Sequence, residues 1–237
     1  MKSLLKLFPF LTGPLRSYFN YFFGEKELRF LVKFLKPHKS RFTFIDVGAN
    51  YGIYTFLFGT KSQFTFAIEP INECLKYLSK GYIKKNIAFI EKVASNNNEE
   101  KILNIPIEND KKIYGRSSID KNFKESIKVE SKSFKLDDLL EDIRILNSEL
   151  IFIKIDVEGH ENQVIEGSSK LLMEKKVVLV IEIEKRHNEN YLNLIKRLNK
   201  SGFTPFYVNK NKLSKINNTN EFKEIMDSNI NFLFKNY

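Results

Sequence analysis

The sequence predicts a doubly wound α/β fold, a mostly parallel sheet with helices on both faces. Three observations predict it. From residue 42 onward, short apolar strands alternate with amphipathic helical segments. The strands read as near-continuous hydrophobic runs, as in "VVLVIEIE", which suits burial on both faces. Acids collect where those strands end, and ligands bind at that rim in open parallel sheets.

The elements follow in order. "GEKELRFLVKFLKPHK" spaces Leu28, Leu31, Val32, Phe34 and Leu35 on one helical face, and Pro37 stops it. "FTFIDVGAN" is a buried strand running into Gly48 and Gly52, with "IYTFLF" as the helix beyond. "FTFAIEP" is a second strand, "NECLKYLSKGYIKK" a helix with Asn72 as N-cap, and "IAFIEKVAS" a third strand. "EKILNIPIEND" and "IKVESKSF" form an inserted hairpin around the loop "KKIYGRSSID". "LDDLLEDI" is a short helix capped by Asp137, followed by the strand "LIFIKID" and the helix "ENQVIEGSSKLLMEKK". After "VVLVIEIE" come the helix "YLNLIKRLNKSG", closed by Gly202, and the final strands "FTPFYVN" and "INFLFK". The domain spans 42–237, and residues 1–41 are a basic helical extension.

Composition narrows the function classes. With 237 residues, 42% hydrophobic content and 22 Phe, the chain can bury a sizeable core. One cysteine and three scattered histidines exclude a disulfide framework and a multi-Cys zinc site, and fit a reducing, cytoplasmic compartment. Net charge is +10, of which residues 1–41, with nine Lys/Arg against two Glu, hold +7. That extension suits packing on the domain or on a second copy as a homodimer, or peripheral contact with a membrane surface. Pro9, Gly13, Pro14 and Arg16 interrupt its apolar stretch, so it is neither a signal peptide nor a spanning helix.

The chemistry concentrates at the strand ends. In "DVGANYG", a strand–glycine–helix turn brings backbone N–H groups toward a ligand, and Asp46 suits a cationic amino group. Glu69 lies 23 residues further on, near the spacing at which an acid takes a ribose diol. Neither G-x-G-x-x-G nor a Walker A loop is present, which favours a nucleoside over a pyrophosphate. "KIDVEGHE" places Lys154, Asp156 and Glu158 on one side of a strand and Ile153, Ile155 and Val157 on the other. Buried carboxylates need partners, so Lys154 pairs with Asp156 or Asp46. His160 is the side chain that titrates near neutral pH, a candidate general base beside Asp156 and Glu182. Glu182 and Glu184 add acids on the next strand.

In order and spacing, "FIDVGANYGIYT", "AIEP", "GRSSI", "KLDDLL", "IKIDVEGHENQVIEG" and "VIEIE" resemble the FkbM-type S-adenosylmethionine-dependent methyltransferases. The resemblance covers about residues 42 to 235. It implies a Rossmann-like sheet of seven strands with an antiparallel last strand, and methyl transfer to oxygen on a sugar, glycan or related small metabolite, as in polysaccharide biosynthesis. By that likeness Asp46, Gly48, Asn50 and Gly52 cradle the methionine part of S-adenosyl-L-methionine, Glu69 holds the ribose, and Ala94 and Ser95 lie near the adenine. Asp156 serves cofactor or acceptor, and Ser117, Ser118 and Glu158 face the substrate. No metal is assigned, since the sequence offers no clear ligand set.

Two rival readings stay open. Nucleic-acid methylation would suit the basic arm, but no two of the six Pro are adjacent, so the Pro-Pro-aromatic motif used on exocyclic amines is absent. A non-catalytic peripheral membrane or scaffold protein with a retained nucleoside pocket is the other.

Overall fold

A computed structural model describes residues 9–174, 176–185 and 190–237. Within it, β1 (Phe42–Val47), β2 (Phe64–Ile68), β3 (Ile87–Ile90), β8 (Leu150–Ile155), β9 (Val177–Glu182), β10 (Thr204–Asn209), β11 (Lys212–Lys215) and β12 (Asn231–Lys235) form one sheet, in the order β11-β10-β12-β9-β8-β1-β2-β3. β1 is flanked in parallel by β2 and β8, and the strand order reverses around it. β12 runs antiparallel to both β9 and β10, as expected of the last strand. The sheet has eight strands rather than seven, because the polar turn after Asn209 folds β11 back along β10.

Strand alternation splits the core in two. Ile45, Val47, Ile153, Ile155, Leu179 and Ile181 face one side, with α5 (Leu140–Leu146), α6 (Glu161–Glu166) and α7 (Tyr191–Lys200). Phe42, Phe44, Phe152, Val178 and Val180 face the other, against α2 (Lys26–Leu35) and α3 (Ile53–Phe58), with Phe44 and Phe152 stacked at 5.1 Å. Asp46, Lys154 and Glu182 continue this second set by alternation, so the charges of the core belong to the face that α2 and α3 cover.

The inserted hairpin is larger than the sequence predicts. β4 (Val93–Ala94), β5 (Glu100–Glu108), β6 (Lys111–Lys112) and β7 (Ser126–Phe134) make a separate sheet in the order β4-β7-β5-β6. "IAFIEKVAS" is therefore two strands, broken at Glu91 and Lys92, because Val93 and Ala94 pair with Ser133 and Phe134.

Three capping and length expectations are corrected. Asn72 does not cap α4 (Asn72–Gly81); its amide donates to Glu91, and Ile71 holds the cap position. Asp137 does not cap its own helical turn. Its carboxylate accepts from the backbone of Lys170 and Leu171, starting the turn Leu171–Met173 instead. The helix expected to run on from Glu161 stops early, with α6 ending at Glu166 and Gly167 as its C-cap. Pro37 does end α2, lying in the 3-10 turn Lys36–His38.

The extension forms α1 (Pro9–Phe23) and α2. α1 lies on α3 and α4, burying Pro9, Gly13 and Ser17. Thr12 and Tyr77 share a hydroxyl hydrogen bond of 2.6 Å across that contact. Lys2 and Lys6 lie outside the described residues. Among the described residues, no helix is long and apolar enough to cross a membrane.

Candidate active site

β1 ends at a turn built around Gly48, whose φ of +77° belongs to the left-handed region. The backbone of Asp156 crosses so close that a Cβ on residue 48 would sit 1.9 Å from its carbonyl oxygen. The amides of Gly48 and Ala49 both donate to Ile68 at 3.0 Å, tying the turn to the end of β2. The ends of β1, β2 and β8 are thus held together, and their acids with them.

Glu69 follows directly on β2 and is buried. One carboxylate oxygen accepts from the amide of Asn50 and the other from that of Ile71, both at 2.8 Å. Burial nevertheless raises its pKa to about 7, with smaller pushes from Asp46 and Asp156. Asp46, also buried, accepts from the Thr55 hydroxyl at 2.5 Å, and burial again lifts it to about 7.

Lys154 is 1% exposed. Its ammonium lies 3.9 Å from Asp156 Oδ2 and 3.8 Å from Glu182 Oε2, donates to Asn231 at 3.0 Å, and stands over the ring of Tyr54. Burial alone would lower its pKa, but Asp156, Glu182, Glu25 and Asp46 outweigh burial and raise it. Lys154 is therefore a cation. Glu182 remains above the ordinary carboxylate range because burial and the nearby Asp156 outweigh Lys154. Tyr54 in turn donates to Glu25, at the start of α2, at 2.5 Å.

Two cavities open on this rim. The first is lined by Gly48, Asn50, Glu69, Asp156, Glu158 and His160, with apolar walls from Ile68, Ile71, Val93, Ala94, Leu103 and Ile119. The second is lined by Asp46, Gly52, Tyr51, Tyr54, Lys154 and Asp156, together with Arg16 and Glu25 from the extension. Gly48, Asn50, Gly115 and Asp156 border both.

Asp46, Gly48, Asn50, Gly52, Glu69, Ala94, Asp156, Glu158, His160 and Ser117 all line one cavity or the other. Three expected residues sit behind the walls. Ser95 is buried and hydrogen-bonded to His160 Nε2 at 3.0 Å. Ser118 is buried and donates to the backbone carbonyl of Glu158. Glu182 borders neither cavity and reaches the site through Lys154. His160 is 4% exposed, and its Nδ1 meets Asp120 at 2.6 Å, so both ring nitrogens are engaged. That geometry suits a pin between three chain segments rather than a base turned toward substrate. Sequence reasoning passed over Arg16, Glu25, Tyr51, Tyr54 and Asp120. The local pattern carries no signal for Arg16, Glu25 and Asp120, which reach the rim only through tertiary folding, whereas Tyr51 and Tyr54 sit in and just after the glycine turn itself.

The residues fit a nucleoside-bearing cofactor. Each Glu69 oxygen keeps a lone pair beyond its backbone bond, which suits a vicinal diol. The apolar walls of the first cavity suit a flat base, and Asp46 at the glycine turn suits an ammonium group.

A family model described as methyltransferase FkbM domain matches residues 46–227. No curated protein matches the chain significantly. Among solved structures, methyltransferase FkbM from Methylobacillus flagellatus is similar at 16% identity and a TM-score of 0.50, covering 82% of this chain. The alignment spans only 44% of that longer protein. Precorrin-6y C5,15-methyltransferase from Geobacter metallireducens aligns at 10% identity and a TM-score of 0.46, covering 89% of this chain and 87% of its own. An rRNA methylase from Streptococcus thermophilus aligns at 12% and 0.44, covering 89% and 95%. With the family match running from the Asp46 turn through the Lys154–Glu158 rim to Asp227, on a sheet of the order described, this chain belongs to the FkbM methyltransferase family.

Proposed function

We propose that the protein binds S-adenosyl-L-methionine with its nucleoside in the first cavity and its methionine part reaching past Gly48 to Asp46, and methylates a hydroxyl of a sugar, glycan or related small metabolite held in the rest of the second cavity. The observation that carries this reading is Asp156, which borders both cavities at their seam. A group at that seam can touch donor and acceptor at once.

The bound cofactor supplies a methyl group already activated on a sulfonium. What remains for the protein is alignment, worth roughly 7–11 kcal/mol. Glu69 holds the ribose, Asp46 the ammonium, and the backbone at Gly48 approaches closely because nothing projects from it. Asp156, kept beside the Lys154 cation, orients the acceptor hydroxyl and takes its proton. Such base assistance adds on the order of 10² to 10⁴ in rate. Glu182 shares Lys154 with Asp156 and does not touch the reactants. Loop residues Tyr114, Gly115 and Ser117 close the seam from the side sheet.

The second cavity also speaks to the acceptor. Glu25 and Asp156 give it carboxylates that accept from neutral hydroxyls, while Tyr51 and Tyr54 offer aromatic faces to the C–H side of a sugar ring. A phosphodiester chain would meet repulsion from the same acids.

Calorimetric titration with S-adenosyl-L-methionine tests the donor half. Mass spectrometry of glycans and sugar metabolites, seeking the increment of one CH₂, tests the acceptor half. A protein with no affinity for the cofactor would sink the assignment.

A further inference from the structure

α1 has two unlike faces. Pro9, Gly13 and Ser17, spaced by four, are buried against the domain. A Cβ on Gly13 would sit 2.3 Å from the Phe56 ring, so the small residue is what lets the helix lie so close. On the opposite side, Leu11, Leu15, Tyr18 and Phe22 recur at i, i+4, i+7 and i+11 and are all exposed. Phe10, Phe19 and Phe23 widen this stripe, with Leu15 at 67% exposure and Phe23 at 77%. Half of one helix thus turns large apolar side chains to solvent, and such patches mark an interaction surface.

The charges of the extension say what the stripe meets. Between residues 9 and 41, Arg16, Lys26, Arg29, Lys33, Lys36, Lys39 and Arg41 are exposed. Of the two acids in this stretch, Glu27 is buried and Glu25 accepts from Tyr54. Glu149, outside the stretch, engages Arg41. A second copy would bring the same positive charge to the contact and repel it. An anionic surface would be attracted.

We propose that α1 seats the protein on an anionic lipid bilayer, with the Leu11–Phe23 stripe lying in the headgroup boundary and the Lys/Arg of α2 against lipid phosphates. Aromatic and aliphatic residues on one face with basic residues beside them make an interfacial helix. The helix lies on the membrane and does not cross it. Arg16 places one wall of the second cavity on this same helix, so that cavity opens next to the lipid plane.

Co-sedimentation of the full chain with vesicles tests this. Binding is expected on phosphatidylcholine mixed with phosphatidylglycerol, weaker by roughly tenfold on phosphatidylcholine alone, and progressively lost as salt is added. The double variant L15S/F22S is expected to lose at least roughly tenfold in vesicle affinity. Neither residue lines a cavity, so its affinity for S-adenosyl-L-methionine by calorimetry is expected to match the parent, which also reports that it has folded. Equal pelleting of parent and variant would overturn the proposal. So would absence of vesicle binding, whether the protein is monomeric or forms a dimer that the double variant dissociates.

Discussion

Lys154 and Glu182 sit on neighbouring strands with their charged atoms 3.8 Å apart, and Asp156 lies two residues past Lys154 at the end of the same strand. A single buried ammonium therefore serves two carboxylates. Removing it leaves both acids without their cation. Lys154→Met is expected to destabilise the protein by about 3–5 kcal/mol, read from chemical denaturation, because an orphaned buried charge costs more than the pair contributes. Replacing Lys154 and Glu182 together by apolar residues is expected to recover part of that loss.

Stability should fall as pH rises. Asp46, Glu69 and Glu158 are raised to about 7 and Glu182 to about 8, each chiefly by burial. The folded state then holds protons that the unfolded chain releases near pH 4.5. The stabilisation is complete below that pH and is lost as pH climbs through 7 and 8. In the ligand-free protein, melting temperature is expected to decline between about pH 5.5 and about pH 8.5. Glu182→Gln is expected to flatten the upper part of that decline in a calorimetric scan.

Cofactor affinity should move the other way. An ammonium group prefers ionised Asp46, so binding is expected to tighten by roughly tenfold from pH 6 to pH 8. Asp46→Asn is expected to weaken binding and to remove most of this dependence. Calorimetric titration across the pH range checks both.

His160 bridges Asp120 in the loop after the side-sheet turn and Ser95 beyond β4. His160→Ala is expected to cost about 1–3 kcal/mol of stability through loss of the buried hydrogen bond to Ser95 and the half-buried one to Asp120. It should weaken the cofactor by roughly tenfold through loosening of the wall. If His160 were instead the base, turnover would collapse with cofactor affinity intact. Measuring the dissociation constant and kcat together separates the two.

Much of this was legible in the sequence, for identifiable reasons. The β1 turn was readable because a glycine under a crossing backbone leaves an unmistakable local pattern, and Glu69 because its distance from Asp46 is set by one strand–helix unit. The rim at Lys154–Glu158 showed itself as charge in an apolar strand. Asp137 was misassigned because its carboxylate serves a turn 33 residues away rather than its own helix. β4 was read as part of the third strand because nothing local marks the point where Val93 leaves one sheet for another. Arg16 and Glu25 were invisible as site residues, since only the docking of α1 and α2 brings them there.

The crossing of Asp156 over Gly48 ties the two halves of the site into one piece of scaffold. No side chain can be enlarged at that junction to reshape one half without displacing the other. Diversification toward different acceptors must therefore proceed at the periphery, in the segment from Tyr114 to Ile119 and in the α1–α2 arm, where walls are contributed by elements outside the main sheet. Swapping those two regions between relatives is the economical route to a new acceptor preference on an unchanged donor platform.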